Sequence, residues 1–262
     1  MGEPIDEHFT TAVAALDVPR TASEAVLRGV SPQTALAVFD AQLGSRHLDL
    51  AARWLRANNK GFYTIGSAGH EGNAAVAAAL RPTDPALLHY RSGGFYLARA
   101  RQVAGGDPLR DVLLGLVAAT DEPISGGRHK VFGRHDLAVI PQTSTIASHL
   151  PRAVGVAFSI ARARKLGVGC AWPADALVVC SFGDASANHS TAVGAINTAR
   201  HTAYQGVPMP LLLVCEDNGI GISVPTPPGW IARSYADRAD LRYFAADGAD
   251  LPDVLTVSAR AA

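Results

Sequence analysis

Two short blocks of valine and leucine interrupt a chain whose other apolar and polar positions are mixed. The first block is ALVVC at residues 176–180, and the second is PLLLVC at residues 210–215. Continuous apolar runs of this length are typical of strands buried on both faces of a parallel sheet. The segment between them, residues 189–204, has helical spacing of its apolar side chains Ala192, Ile196, Ala199 and Ala203. The pattern predicts a strand–helix–strand unit.

Helices alternate with short strand candidates upstream as well. Residues 31–61 predict a long helix, with a serine cap, a proline at the first position and a glycine stop. Short strands are predicted at 62–65 and 87–89, each followed by a loop and a helix. A glycine- and histidine-bearing connection at 120–143, of a length that is usually functional or disordered, precedes a predicted helix at 144–166.

This alternation predicts an α/β fold with a mostly parallel sheet and helices on both faces. Residues 1–30 are expected to form an N-terminal lead-in, and residues 31–262 a single domain. The last segment, residues 250–262, begins like a helix and ends on two alanines without a glycine stop. We therefore expect the chain to be part of a longer polypeptide.

Composition and charge exclude several classes of protein. Hydrophobic residues make up 48% of the 262 residues and charged residues 18%, which indicates a globular chain. Lys+Arg and Asp+Glu both number 23, so neither nucleic acid nor an anionic membrane surface is an expected partner. No signal core is present at the N-terminus, and no apolar stretch reaches about 18 residues. We expect a cytoplasmic protein without a membrane span, in which Cys170, Cys180 and Cys215 are free thiols.

An aspartate stands at the end of the first buried strand, immediately before a predicted helix. Asp184 follows Gly183, and Asn218 and Gly219 follow the second strand. The beginning of a helix after a strand favours phosphate, which a carboxylate repels unless a divalent cation lies between them. If the strands are neighbours, their ends meet at one edge of the sheet. The pair predicts a magnesium–diphosphate site, although each end taken alone also fits a turn with a capping side chain.

These stretches resemble a known family. GDASANHSTAVGAINTA, followed by LLLVCEDNGIGIS, is similar to the thiamine-diphosphate motif of Gly-Asp-Gly, a helix, a strand and Asn-Asn. More narrowly, the chain from roughly residue 35 onward resembles the alpha part of the decarboxylating first component of 2-oxo acid dehydrogenase complexes, of the pyruvate and branched-chain type. GSAGHEGNAAVAAAL, HYRSGG and TSTIASHLPRAVGVAFS are similar to further motifs of that family, in the same order.

The resemblance implies a cofactor site for thiamine diphosphate and Mg²⁺. Asp184, Asn218 and the backbone carbonyl of Ile220 would bind the metal. Tyr90 and Arg91 would contact the diphosphate, since a guanidinium matches paired phosphate oxygens. Smaller contacts around the diphosphate would come from Gly183, Ala185 and Ser186.

Further roles follow for the segment that precedes the predicted helix at 144–166. Ser144 and Ile146 match positions that touch the central region of the cofactor, where the apolar side chain favours its bent form. Some relatives bind a structural K⁺ at positions that match Thr143, Ser148 and His149.

Three residues depart from the family pattern. Ala185 replaces the last glycine of Gly-Asp-Gly, which is acceptable where the backbone is not left-handed. Asp217 replaces the first asparagine of the pair. Glu216 stands where relatives often have an arginine that contacts the diphosphate, so Arg91 or a loop residue would have to supply that charge.

The resemblance implies an enzyme that decarboxylates a 2-oxo acid, of the branched-chain or pyruvate type, and transfers the acyl group to a lipoyl carrier. Its partners would be a beta part, either a separate subunit or the rest of a longer polypeptide, and a lipoyl-bearing acyltransferase. The assembly would be of the α2β2 type or a fused homodimer. The segment alone is expected to be inactive, because the beta part contributes a glutamate that acts on the cofactor.

Two alternatives stay open from the sequence. One is a transketolase-like or other non-oxidative thiamine enzyme. The other is a non-catalytic subunit that keeps the fold, which Glu216 and Ala185 favour.

No catalytic residue is assigned, and His70, His129 and His135 are the candidates. The two histidines of the 120–143 connection either border the cofactor or substrate, bind a metal, or lie in a solvated loop. Glu71 is expected to cap a helix. Arginines expected on a solvated helix face are Arg99, Arg101 and Arg110, and Trp54 is expected to pack.

Overall fold

The computed structural model of the chain describes residues 4–17, 27–62, 66–128 and 131–262. Within these ranges the helices are α1 (Pro4–Ala14), α2 (Pro32–Ala57), α3 (Asn73–Ala79), α4 (Gly93–Ala100), α5 (Pro108–Leu116), α6 (His149–Leu166), α7 (Ser190–Tyr204), α8 (Trp230–Tyr235) and α9 (Leu251–Ala261). No helix of this part of the chain is long and apolar enough to cross a lipid bilayer.

In the described ranges the sheet has three parallel strands, β1 (Ala86–Leu87), β2 (Val178–Gly183) and β3 (Leu211–Glu216), in that spatial order. β2 and β3 pair along their whole length, and Gly183 lies opposite Glu216 at their carboxyl ends. A parallel sheet with helices is the α/β fold that the sequence predicts, and the prediction is confirmed. The strand predicted at 62–65 lies almost entirely outside the described residues.

The ends of the helices follow local chemistry in some places and depart from prediction in others. α2 begins where predicted, because the Ser31 hydroxyl accepts a hydrogen bond from the Thr34 N–H at 3.0 Å. α6 was expected to begin at residue 144, but it begins at His149. Ala147, with φ +60°, has a left-handed backbone that a helix cannot contain.

The strands alternate between two cores, because successive side chains of a strand point to opposite faces. One core, which we call the α6–α7 face, takes Val178, Cys180 and Phe182 of β2 against helices α6 and α7. The other, which we call the α2–α4 face, takes Val179 of β2 and Val214 of β3 against helices α2, α3 and α4. The expectation of helices on both faces is met.

Arg99 lies on the α2–α4 face and corrects the expectation of a solvated arginine. Its side chain is 0% exposed, and Nη1 donates to the backbone carbonyls of Pro82, Asp84 and Leu137 at 3.3, 2.9 and 3.2 Å. Burial lowers its pKa to about 10. α4 turns this side chain inward, whereas Arg101, directly after the end of the helix, is exposed and pairs with Asp40.

The 120–143 connection is partly an extension of the sheet. The Ala86 N–H donates to the carbonyl of Ala138 at 2.8 Å, and the Ile140 N–H donates to the carbonyl of Ala86 at 2.9 Å. Together with the Arg99 contact to Leu137, these bonds fix the second half of the connection against β1.

A buried ion-pair network joins α1, α2 and the loop before α3. Asp6 accepts from Arg53 at 2.8 Å, and Asp49 accepts from Arg46 at 3.1 Å and from the Ser67 N–H at 2.8 Å. Burial raises the pKa of Asp49, while its hydrogen bonds to Ser67 and the two arginines oppose that shift. The network anchors the loop that leads to His70.

Two further expectations for this region are wrong. Glu71 does not cap a helix, because α3 begins at Asn73 without a side-chain cap, and the Glu71 carboxylate instead lies 3.5 Å from Nε of Arg46. Trp54 is 60% exposed on the outer side of α2 rather than packed in a core.

Candidate functional site

The carboxyl ends of β2 and β3 lie side by side, so the residues that follow them meet. Asp184, at the beginning of a 3₁₀ turn (Asp184–Asn188), is 1% exposed. Its Oδ2 accepts from the Gly219 N–H at 3.1 Å and from the hydroxyl of Thr226. The predicted convergence of the two strand ends is therefore present, with Thr226 as a contact that the sequence analysis did not include.

The loop after β3 turns sharply at a glycine. Gly219 has φ +74°, a backbone conformation that a side chain disfavours. The Asn218 Oδ1 accepts from the Ile220 N–H at 3.0 Å, and both side chains are exposed. Asn218 and Ile220 lie in this loop after β3, and Asp184 lies in the turn after β2. The three predicted metal ligands are therefore on two adjacent loops.

We call the group formed by Asp184, Asp217, Asn218 and the Ile220 carbonyl the metal corner. Its donor atoms fit a hard divalent cation. Partial burial and the neighbouring Asp184 carboxylate raise the pKa of Asp217. Two acids held close together favour a cation between or beside them, because each disfavours the charged form of the other. A carboxylate, an amide oxygen and a backbone carbonyl are the oxygen ligands that Mg²⁺ prefers. The residues present thus fit magnesium.

The small residues around Asp184 adopt conformations that suit close approach. Gly183 is extended, with φ −87°, and Ala185 and Ser186 lie within the 3₁₀ turn. Because Ala185 does not have a positive φ, its replacement of the family glycine causes no backbone strain. The contacts of these three residues with a diphosphate stay a prediction.

Tyr90 and Arg91 lie in the loop after β1, beside this corner. Tyr90 is 8% exposed, and the Arg91 guanidinium carbon lies 5.4 Å from the centre of its ring. The Arg91 Nη1 donates to the Gly66 carbonyl at 2.5 Å. Arg91 is thus held against the loop that precedes α3, and only part of its donor capacity is used by this bond.

The Glu216 side chain contacts two histidines and an asparagine on the α2–α4 face. Its Oε2 lies 2.5 Å from Nδ1 of His70 and 3.8 Å from Nδ1 of His89, and its Oε1 accepts from Nδ2 of Asn73 at 2.9 Å. The His70 and His89 rings are stacked with centroids 5.0 Å apart. Burial, with the neighbouring charges of His70, His149 and Arg91, lowers the pKa of His89 to about 2.

This cluster also touches the metal corner, since Nε2 of His70 lies 3.4 Å from Nδ2 of Asn218. From the sequence, His70 is one of three candidates, His89 is not among them, and Glu216 is expected only as a lost contact. The sequence does contain a signal for the position of Glu216. Alternate residues of a strand point to the same face, so Glu216 shares the α2–α4 face with Leu212 and Val214, and α3 lies on that face.

The segment before α6, which contains Ser144 and Ile146, is more exposed to solvent than Asp184. Ser144 is half-buried and Ile146 is 41% exposed. The Thr143 hydroxyl lies 3.1 Å from that of Thr145, and the Ser148 hydroxyl donates to the Thr145 carbonyl at 2.9 Å. These polar groups are satisfied locally, while the exposed Ile146 side chain is available to a ligand or a partner.

His149 faces inward rather than toward that segment. Its Nε2 donates to the Ser181 carbonyl of β2 at 2.7 Å, and the residue is 3% exposed. Burial lowers its pKa. His135 is exposed beside Arg134, which pairs with Asp136 at 2.7 Å, and His129 lies outside the described residues.

Residues 41–262 match the model of the protein family described as "Dehydrogenase E1 component". Over 217 residues the chain is 28% identical to the 2-oxoisovalerate dehydrogenase subunit alpha of Bacillus subtilis, an alignment that covers 80% of this chain and 59% of the relative. It is 31% identical over 155 residues to 2-oxoisovalerate dehydrogenase subunit alpha 2, mitochondrial, of Arabidopsis thaliana, covering 59% of this chain and 29% of the relative. The chain thus matches less than two thirds of the length of each of these relatives.

Proposed function

We propose that this chain, which belongs to the dehydrogenase E1 component family, provides the metal- and diphosphate-binding part of a thiamine-diphosphate-dependent 2-oxo acid dehydrogenase. The observation that carries the proposal is the contact between two strand ends. The Asp184 carboxylate accepts from the Gly219 N–H at 3.1 Å, directly beside Asn218. This contact gathers hard oxygen ligands where an open parallel sheet binds its ligands.

When bound, thiamine diphosphate would supply the nucleophilic carbon and the electron sink for loss of CO₂ from a 2-oxo acid. The chain's own residues bind and orient it. Asp184, Asn218 and the Ile220 carbonyl hold Mg²⁺, which neutralises the diphosphate. Arg91, held by Gly66 and stacked on Tyr90, offers its remaining N–H groups to the phosphate oxygens.

Glu216 does not oppose this role, although it replaces a cation of the family pattern. Its carboxylate is bound by Asn73 and His70 on the α2–α4 face. The negative charge is therefore compensated by hydrogen-bond donors of this chain. This arrangement argues against the alternative of a non-catalytic subunit that has lost its cofactor.

The substrate class is proposed to be a branched-chain 2-oxo acid. The relatives in Bacillus and Arabidopsis are named for 2-oxoisovalerate. A cavity of about 40 Å³ adjoins Tyr90 and Arg91, and its apolar lining consists of Leu48, Ala52, Val112, Leu116, Val131 and Phe132. Ser45, Asp49 and Ser67 also line the cavity, and its largely apolar wall suits a short branched aliphatic side chain.

The active unit is proposed to include a beta part and a lipoyl-bearing acyltransferase that accepts the acyl group. The loop of the metal corner exposes three aliphatic side chains, Ile220, Ile222 and Val224, at 70%, 70% and 61%. Clustered apolar side chains in contact with water favour an interface. A partner that covers this loop would also exclude water from the cofactor.

Calorimetric titration of the chain with thiamine diphosphate in the presence of Mg²⁺ tests the proposal. Wild-type protein is expected to bind, and Asp184→Ala is expected to weaken binding at least about 100-fold, or ~2.7 kcal/mol. Asp175→Ala is the matched control, because Asp175 is an exposed aspartate that pairs with Arg81 away from the corner.

Circular dichroism establishes that both variants are folded. Equal affinity of wild type and Asp184→Ala would refute the metal role. No binding by folded wild-type protein would favour the non-catalytic alternative. Turnover of ketose phosphates rather than 2-oxo acids, once the partner is added, would favour the transketolase-like alternative.

A further inference from the structure

We propose that His70, His89 and Glu216, which we call the His–Glu trio, form a binding site for a first-row transition-metal dication such as Zn²⁺. This site is additional to the magnesium corner and does not depend on the proposed function. Among the residues that the structure describes, these three bring potential metal-ligating atoms within 4.8 Å of one another.

The spacing of the ligand atoms suits one ion after small side-chain rotations. Glu216 Oε2 lies 2.5 Å from Nδ1 of His70 and 3.8 Å from Nδ1 of His89. Two ligands of one zinc ion, each about 2.0–2.2 Å from the metal, lie roughly 3–4 Å apart. Opening the 2.5 Å distance by about 0.5–1 Å, and closing the separation of the two imidazole nitrogens, which is at most 4.8 Å, by up to about 1 Å, brings all three atoms to bonding distance. A metal ion at Nδ1 of His89 would replace the hydrogen bond that this atom accepts from the Arg91 N–H at 3.3 Å.

The chemistry of the donors selects the class of metal. Two imidazole nitrogens and one carboxylate oxygen form a set that zinc sites with an open fourth position use. Imidazole suits zinc, cobalt, nickel and copper, whereas Mg²⁺ prefers oxygen ligands alone. The trio and the corner at Asp184 therefore differ in the ions that they favour.

The trio is buried and its ligands are held by further hydrogen bonds. His70 and His89 are 5% and 4% exposed, and the Glu216 side chain is 10% exposed. The second carboxylate oxygen of Glu216 accepts from Asn73, whose own Oδ1 accepts from the Phe95 N–H at 2.7 Å. Such supporting contacts orient ligands before the metal arrives and raise its affinity.

The backbone of His89 is also fixed, because its N–H donates to the Ser181 hydroxyl at 2.8 Å. Ser181 lies in β2, so the imidazole is positioned by the sheet itself. His70 follows Gly69, whose φ of +82° makes the turn that aims the ring at β3. Three separate elements, the loop before α3, the end of β1 and the end of β3, therefore converge on one point.

A cobalt titration tests the proposal. Co²⁺ is added to the full chain in excess Mg²⁺, in a Cys170→Ser background that removes the exposed thiol, and visible absorption is recorded. We expect saturable binding of one Co²⁺ with the absorption of a four-coordinate ion, and competition by Zn²⁺. In Glu216→Gln and His89→Gln the affinity is expected to fall at least ~10-fold.

The controls separate the trio from other sites. His201→Gln removes an exposed histidine of α7 and is expected to leave the cobalt spectrum unchanged. Asp184→Ala is expected to keep cobalt binding but to lose binding of thiamine diphosphate. The two measurements are independent, so the failure of one proposal is distinguishable from the failure of the other. Glutamine variants keep the size of the side chains, and circular dichroism checks their folding.

Either of two results overturns the proposal: no four-coordinate cobalt spectrum, or a spectrum that the Glu216→Gln and His89→Gln variants share with wild type. In both cases the trio is a hydrogen-bonded polar cluster without a metal.

Discussion

The two faces of the sheet are filled in different ways. On the α6–α7 face, the buried side chains are almost all apolar and many are small, such as Ala153, Ala157 and Ala192, with His149 as a buried titratable exception. On the α2–α4 face, apolar residues surround buried charged and polar groups, namely Arg46, Asp49, His70, His89, Arg99 and Glu122.

The α6–α7 face therefore mainly supports the sheet, whereas the α2–α4 face holds the candidate functional side chains. Small apolar residues let α6 and α7 lie close to β2, and their packing requires only shape. Buried polar groups are costly unless each is hydrogen-bonded, so the α2–α4 face can adopt few alternative arrangements. That face holds the loops with His70 and Arg91, and its polar contacts fix where those side chains point.

The largest expected effect comes from removing a buried charge on the α2–α4 face. Arg99→Ala is expected to lower the free energy of unfolding by roughly 3–4 kcal/mol, because three hydrogen bonds and a large packed side chain are lost. Urea denaturation measures the change. Arg101→Ala, at the exposed residue directly after the same helix, is the control and is expected to change stability little; equal losses would contradict the assigned role of Arg99.

A smaller effect tests the titratable exception on the α6–α7 face. Burial lowers the pKa of His149, so the folded protein keeps this ring neutral where the unfolded chain, with a pKa near 6.5, takes a proton. Stability is therefore full above about pH 6.5 and falls as pH decreases, by up to ~1.4 kcal/mol per pH unit.

Urea denaturation at pH 7.5 and pH 5.5 checks this sign. His149→Gln keeps a donor for the Ser181 carbonyl but has no titratable ring, so its loss between the two pH values is expected to be smaller than that of wild type, by at most about 1.4 kcal/mol. An identical loss in both proteins would show that His149 is protonated equally in the folded and unfolded states.

The smallest expected effect is a gain on the outer side of the α6–α7 layer. Gly194 lies in the interior of α7, is exposed, and has no atom within 4 Å of the position that a Cβ would take. Gly194→Ala is expected to raise the free energy of unfolding by about 0.5–1 kcal/mol through helix propensity. Thermal unfolding measures the change in stability. A decrease in the unfolding midpoint would mean that the surface around Gly194 is packed against other atoms.

The contact between Asp184 and the loop after β3 was predictable from the sequence because its parts are local to two strand ends. Asp184 and Asn218 each follow a buried apolar run, and neighbouring parallel strands bring such ends together. Thr226 was not predictable in the same way, since its contact with Asp184 depends on how the loop after Gly219 folds back.

The contacts of the His–Glu trio were not predictable from the sequence. His70 and Glu216 are 146 positions apart, and no periodicity relates them. Their contact requires the turn at Gly69, the position of α3 on the sheet and the alternation of β3. The same holds for Arg99, whose burial depends on the rotation of a short helix rather than on its composition.

Local sequence is sufficient to specify the parallel strands, the long α2 helix with its Ser31 cap, and the acidic and amide residues at the strand ends, because hydrogen bonding and side-chain periodicity act over a few neighbouring residues. Which polar side chains are buried together on the α2–α4 face depends on the tertiary fold. Those contacts join residues far apart in the chain, and they depend on strand register and helix orientation, which local patterns do not specify.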